Sequence, residues 1–335
     1  MTLKLFIKLW LIFFLLAFPM FYFVYKYGTP DFGLKDFYSY YDLYNNWDIE
    51  KVDAPFNMRL LSSIFVFLLN KIGLHYDTLT AFDQTGLDRQ VFFNAVFFNM
   101  LCVVSTCVVI YLTIHKYFKD ILLSFTAGLV YLLGFGTLFY ELMPITDALS
   151  ILLFAIILFG YFSKSYFIII PLLLLIFQRE YIFLALGLIS FLDYWKYREK
   201  YYLYTLGICV ICFGIYYVLR KTLFYTPKYD HQASPAYFLR AFIELRFPIF
   251  PYLKQTLMTL NLFILYILVV IYKKIKNIEI DKFNLLKLVL LFAQINIISF
   301  AAVFGNNTGR YFYILIPLVI FQLVKEIKPL LLPKE

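Results

Sequence analysis

The chain has 335 residues, of which 63% are hydrophobic and only 15% are charged, and its mean hydropathy is +0.78. Soluble domains use about 45–50% apolar and about 25% charged residues, so this composition excludes a soluble globular protein and predicts an all-α polytopic membrane protein. The net charge of +9 does not indicate nucleic-acid binding, because basic residues of membrane proteins gather in cytoplasmic loops and no basic, aromatic-rich groove is visible.

Hydrophobic runs divide the chain from end to end and predict one integral membrane domain, residues 1–335, with about ten transmembrane helices. The first run, residues 5–25, follows Lys4 and contains Lys8, which predicts a span with a cytoplasmic N-terminus. A cleaved signal peptide is not expected, because the run is long for one and has no small-residue cleavage site.

Residues 26–90 are predicted to form the first outer loop. Its polar part is rich in aspartate and aromatic residues, and Asp36 is expected at an exposed loop position. The apolar run at residues 60–74 is too short to cross the membrane, because about 15 helical residues reach only ~22 Å of the ~30 Å hydrocarbon core. This run therefore predicts an interfacial helix on the outer face.

Further spans are predicted at residues 91–114, 121–140, 147–162, 203–224, 253–272, 285–304 and 310–324, with a second outer loop at residues 225–252. The run at residues 166–192 is interrupted by Gln178, Arg179 and Glu180, which predicts two short helices that meet there. Lysine-rich turns then share one side with both termini, as the positive-inside rule requires. An alternative makes 60–74 a span and 166–192 a single span, but it places the basic segment 115–119 outside.

Ionisable residues at membrane depth are costly and therefore mark candidate functional sites. The predicted topology brings a set of polar residues to the outer face: Asp31, Asp36, Asp42, Arg59, Glu141, Asp147, Arg179, Glu180, His231, Arg240, Arg246, Asn306, Asn307 and Arg310. Taken one at a time, each ionisable member is also explained as a solvated loop charge, a helix-end anchor or half of a structural ion pair.

Short motifs within this set resemble the C-type superfamily of membrane glycosyltransferases, and the resemblance covers most of the chain. The motifs are Asp36-Phe-Tyr-Ser-Tyr-Tyr in the first outer loop, Phe56-Asn-Met-Arg59 before the interfacial helix, Thr146-Asp147 at the start of a span, Gln178-Arg179-Glu180, and Gly309-Arg310 followed by Pro317.

The resemblance implies a polyprenyl-phosphate sugar donor and a lipid-linked or glycan acceptor. Together with the predicted topology, we expect an active site on the periplasmic face of a bacterial inner membrane. The resemblance implies that Asp36, or Asp31 in its place, acts as the general base. It also implies that Arg179 and Arg310 hold the donor phosphate, and Arg59 is expected to join them. The residues expected at the substrate are Tyr40, Tyr41, Glu141, Asp147, Glu180, His231 and Asn307.

Two departures from the family pattern are expected from the sequence: no large soluble C-terminal domain is predicted, and no clear Asp-x-Asp pair is found. Metal dependence is therefore left open, and a divalent cation is the one cofactor considered. Two other functions also stay open. A lipid or polysaccharide transporter or flippase would show inverted repeats or matching Gly/Pro-broken spans, and neither is found in the sequence. A non-catalytic envelope-assembly protein would tolerate loss of the Asp36 charge.

Overall fold

The structure, a computed structural model, describes residues 3–29, 36–53, 55–225, 261–303 and 308–331. Within these ranges the regular elements are helices and no strand occurs, so the all-α prediction is confirmed. The α-helices are α1 (Leu3–Tyr27), α2 (Asp36–Asn46), α3 (Leu60–Ile72), α4 (Arg89–Phe118), α5 (Ile121–Leu132), α6 (Asp147–Phe162), α7 (Ile169–Leu175), α8 (Tyr181–Tyr197), α9 (Lys200–Thr222), α10 (Asn261–Ile275), α11 (Lys282–Val303), α12 (Thr308–Tyr313) and α13 (Ile316–Leu331).

Among the described residues, three helices are long and apolar enough to cross a membrane: Lys4–Tyr27 within α1, Arg89–Phe118 and Lys200–Thr222. Shorter apolar helices include α3, α5 and α6. These helices agree with the membrane association predicted from composition.

Helix α4 forms the centre of the bundle. Its most apolar stretch is 72% buried, whereas the corresponding stretches of α1 and α9 are only 28% buried. Helices α1, α5 and α6 pack directly against α4. A helix that is apolar on all sides is suited to this central position, and the exposed apolar faces of α1 and α9 are suited to lipid.

Helices α4 and α5 are antiparallel neighbours because only two residues join them. Lys119 adopts a left-handed φ of 56° and donates its N–H to the His115 carbonyl oxygen at 2.9 Å, which closes α4. Asp120 then begins α5, since its Oδ1 accepts a hydrogen bond from Leu123 N at 2.9 Å. Both are ordinary helix-capping arrangements, and together they reverse the chain within one turn.

The polar break predicted at residues 178–180 is confirmed, because α7 ends at Leu175 and α8 begins at Tyr181. Two predicted spans are wrong in detail. The span at 310–324 is divided into α12 and α13, because Pro317 has no N–H to donate to the Tyr313 carbonyl and the helix must begin again.

The predicted span at 121–140 is also interrupted. Helix α5 ends at Leu132, and a single π-helical turn, Thr137–Glu141, follows the break. Gly134 and Gly136 lie in this break, and a Cβ on Gly136 would overlap the ring of Tyr313. The close approach of that ring explains why glycine stands there, and it joins the break to α12, which carries Arg310.

Candidate functional site

Helix α2 contributes Asp36 and Tyr40 to a buried polar cluster. Its buried residues Phe37, Tyr40, Leu43 and Tyr44 are spaced three or four apart, so they form one apolar face that packs on the protein. Asp36 lies in the first turn, where a negative charge is favourable, and four residues before Tyr40, on the same side. The prediction that Asp36 lies at an exposed loop position is wrong. Asp36 is the first residue of α2, and its side chain is only 29% exposed.

Asp147, at the start of α6, joins two arginines from distant parts of the chain. Its Oδ1 accepts a hydrogen bond from Arg179 Nη2, and its Oδ2 accepts one from Arg310 Nε. The Asp147 side chain is 4% exposed and that of Arg179 is 2% exposed. A carboxylate buried to this extent is stable only when cations pair with it, and here two do so.

Arg310 lies between two carboxylates. In addition to its contact with Asp147, its Nη1 donates to Asp36 Oδ2. Burial raises the pKa of Asp36, but Arg310, with further contributions from Arg59 and Arg179, outweighs that effect and holds this pKa below its usual range. The Asp36 carboxylate is therefore ionised at neutral pH.

Arg59 completes what we call the arginine cluster: Asp36, Arg59, Asp147, Arg179 and Arg310. It is buried, follows the 3₁₀ turn Phe56–Met58, and donates from Nη1 to the Tyr40 hydroxyl. Its guanidinium also lies 5.3 Å from the centre of the Phe56 ring. No ion pair among the described residues includes Arg59, so this buried cation lacks a carboxylate partner there.

Each of the three arginines keeps an N–H group without a hydrogen-bond partner among the described residues. The groups are Arg59 Nε, Arg179 Nε and Arg310 Nη2, and all three side chains are more than nine-tenths buried. Three guanidiniums thus meet only two carboxylates within contact distance. A third carboxylate, Glu180, acts on Arg59 from beyond contact distance. The donors left over among the contacting groups are suited to binding an anion.

Gln178 is a supporting residue to which the sequence analysis assigned no role. Its Nε2 donates to the Thr146 carbonyl oxygen and to Ser62 Oγ, both at 2.6 Å, and its Oε1 accepts from Ser62 N at 3.2 Å. It therefore ties α3 and the start of α6 to the break that carries Arg179. The sequence feature that could have indicated this role is the position of Gln178 next to Arg179 in an otherwise apolar run.

Glu141 belongs to a separate network. It is fully buried in the π-helical turn and accepts hydrogen bonds from the Tyr131 hydroxyl and, at 3.5 Å, from Thr137 Oγ1. Thr137 Oγ1 lies 2.7 Å from the Tyr313 hydroxyl, three residues beyond Arg310. No described lysine or arginine pairs with Glu141, so its carboxyl is expected to be neutral.

The remaining predicted site residues form no hydrogen bond or ion pair with the side chains of the cluster, or they cannot be placed. The Tyr41 hydroxyl accepts a hydrogen bond from Asp88 N at 3.1 Å, away from the arginines. Glu180 is half-buried beside Arg179 and acts electrostatically on Arg59, but it forms no ion pair with a described residue. Asp31, His231 and Asn307, with all but the first residue of the second outer loop, lie outside the described residues. Within the described ranges, no three His, Cys, Asp or Glu residues group as metal ligands.

Comparison of the chain with protein-family models, with curated proteins and with solved structures gives no match. What bears on function is therefore the geometry of the arginine cluster, together with the motif resemblance.

Proposed function

We propose that this protein is a membrane glycosyltransferase that moves a sugar from a polyprenyl-phosphate donor to a lipid-linked or glycan acceptor. The observation that carries the proposal is the arginine cluster, in which three buried guanidiniums each keep an N–H without a partner among the described residues. Its five members come from five separate motifs of the chain, and each of these motifs resembles the glycosyltransferase superfamily.

A phosphate group fits the charge and the donors of the cluster. A guanidinium pairs with two oxygens of one phosphate, and such charge-assisted hydrogen bonds are about twice as strong as neutral ones. Burying Arg59 without a carboxylate is costly, and a bound phosphate would offset that cost. A lipid phosphate would also bring a tail that the apolar surfaces of the neighbouring helices accommodate.

The transfer is a single displacement that inverts the anomeric carbon. The acceptor hydroxyl loses its proton to the Asp36 carboxylate as its oxygen bonds to the anomeric carbon. The bond from that carbon to the phosphate oxygen breaks, and its electron pair leaves with the polyprenyl phosphate. Arg179, Arg310 and Arg59 stabilise the charge that develops on this leaving group. Asp36 and Arg310 are in contact in the protein without substrate, so the proposed base and a proposed leaving-group cation belong to one site.

We place the cluster on the periplasmic face of a bacterial inner membrane, in a ten-span arrangement with both termini in the cytoplasm. The five cluster members come from segments predicted to lie outside, and they meet in space. Two ion pairs between segments predicted to lie inside support the same arrangement: Lys164 with Glu199 and Lys325 with Asp281 at 2.9 Å.

This topology predicts which single cysteines react with a membrane-impermeant thiol reagent in a variant without native cysteines. Cysteines at Asp83 and His231 should be labelled from outside in intact cells. Cysteines at Lys116 and Lys276 should be labelled only after the membrane is permeabilised. Labelling at position 116 from outside would contradict the ten-span arrangement and favour the alternative in which residues 60–74 cross the membrane.

The phosphate site predicts that Arg310→Ala weakens the binding of polyprenyl monophosphate by about 1.5–3 kcal/mol, roughly ten- to a hundredfold in affinity. Arg310→Lys should recover only part of the loss, because an ammonium lacks the planar fork. Binding is measured in nanodiscs, with the uncharged polyprenol as the control ligand. Lys51→Ala, at an exposed lysine paired with Asp48, is the matched control variant.

Equal affinity of the parent and Arg310→Ala, with both proteins monodisperse, would remove Arg310 from the phosphate site. Mass spectrometry of lipid-linked sugars and glycans from cells with and without the protein then distinguishes the functions. A glycosyltransferase changes the covalent structure of a glycan. A flippase or assembly protein changes only where glycans accumulate.

A further inference from the structure

The guanidinium of Arg310 has three donor nitrogens, of which only two have a hydrogen-bond partner among the described residues. Nε is bonded to Asp147 and Nη1 to Asp36, whereas Nη2 has no partner among the described residues. Carboxylate and phosphate oxygens bind the same edges of a guanidinium. Asp36 therefore occupies part of the edge that a phosphate would use.

The two carboxylates on Arg310 differ in how firmly they are held. Asp147 is 4% exposed and is bonded to two arginines. Asp36 is 29% exposed, and Arg310 is its ion-pair partner within the described part of the chain. Displacing Asp147 from its arginines would leave Arg179 without a counter-charge. Asp36 is partly exposed to solvent, so water can replace Arg310 as the hydrogen-bond partner of its carboxylate. Asp36 is thus the carboxylate that an incoming anion can replace.

We propose that Asp36 is an internal competitor of the donor phosphate: its carboxylate occupies Arg310 in the empty protein and is displaced when the phosphate binds. This inference rests on the proposed function of the cluster as a phosphate site. It gives Asp36 two successive roles, since the carboxylate released from Arg310 becomes the base for the acceptor hydroxyl.

The exchange has a consequence for the order of binding. While Arg310 pairs with Asp36, the carboxylate is a weak base, because the adjacent cation favours its ionised form. A phosphate on Arg310 neutralises that cation and so makes Asp36 more basic. The donor must therefore bind before an acceptor can be deprotonated, and the empty enzyme does not activate acceptor hydroxyls.

The test compares the affinity of polyprenyl monophosphate for the parent, Asp36→Asn and Asp36→Ala in nanodiscs. Removing the competing negative charge should tighten binding by roughly tenfold, because no ion pair with Arg310 then has to be broken. If Asp36 instead helped to hold the donor, both substitutions would weaken the binding of polyprenyl monophosphate. Asp42→Asn, which removes a carboxylate from the same helix outside the cluster, should leave the affinity unchanged.

A second measurement uses the parent protein, so it does not depend on the variants folding. Hydrogen exchange of the backbone amides in residues 36–46 should become faster when polyprenyl monophosphate is added, because α2 loses its tie to Arg310. Polyprenol should not change the exchange rate. Slower exchange in this segment on phosphate binding would contradict the displacement of Asp36.

The outcomes separate this inference from the function on which it rests. If Arg310→Ala weakens phosphate binding but both Asp36 variants bind as the parent does or more weakly, the exchange is wrong and the phosphate site stands. If the parent does not prefer polyprenyl monophosphate over polyprenol, the phosphate site is wrong and the exchange fails with it. Tighter phosphate binding in both Asp36 variants, together with weaker phosphate binding in Arg310→Ala, supports the phosphate site and the displacement of Asp36 alike.

Discussion

Asp147→Ala is expected to destabilise the protein by about 3–5 kcal/mol, because it removes one partner from buried ion pairs and leaves charges uncompensated. Arg179 and Arg310 would both lose the carboxylate that joins them, and both are buried. The loss is measured as a lower midpoint of thermal unfolding, and as a lower denaturant midpoint in mixed micelles, for the purified protein.

Glu199→Ala is the matched control, since it removes a carboxylate from an ion pair with Lys164 whose side chains are 42% and 48% exposed. Exposed pairs of this kind contribute about 0.2–1 kcal/mol, so the control should unfold close to the parent. If Asp147→Ala and Glu199→Ala lowered the unfolding midpoint equally, the buried ion pairs of Asp147 would contribute no more stability than an exposed pair.

Asp36→Asn should lower the rate of sugar transfer by about 10²–10⁴-fold, the range by which a positioned base accelerates a reaction. The amide keeps the size of the carboxylate and can still contact Arg310 through its oxygen, but it takes no proton at neutral pH. The measurement is the rate of product formation by mass spectrometry, with parent and variant in the same nanodiscs. Normal transfer by Asp36→Asn and none by Asp31→Asn would move the base to Asp31. Normal transfer by both variants would rule out Asp36 and Asp31 as the base.

The same substitution has a pH-dependent effect on stability. Because the pKa of Asp36 lies below its usual range in the folded protein, the ion pair stabilises the fold above the ordinary aspartate pKa. That contribution is lost as the pH falls through the lowered value. The difference in thermal stability between the parent and Asp36→Asn should therefore be constant at neutral pH and shrink only in strong acid.

The sequence by itself determined the class of the protein and most of its helices, because apolar runs and their polar interruptions are local features. The break at Gln178-Arg179-Glu180 and the starts of α4 and α6 were predicted within a few residues for this reason. The interruption after Leu132 was missed, since two glycines in an apolar run resemble a continuous span. The ring that packs against Gly136 next to this interruption belongs to Tyr313, which comes from a distant part of the chain.

Only the tertiary structure decided which charges pair. The motifs identified Asp36, Asp147, Arg179 and Arg310 as candidates, but they did not indicate that Asp147 bridges two arginines or that Arg59 contacts Tyr40. Arg310 reaches its two carboxylates across 163 and 274 residues of sequence. No local pattern encodes contacts of that separation. They form because helix packing brings the ends of α2, α6 and α12 together, and because charges buried there are stable only when they find partners.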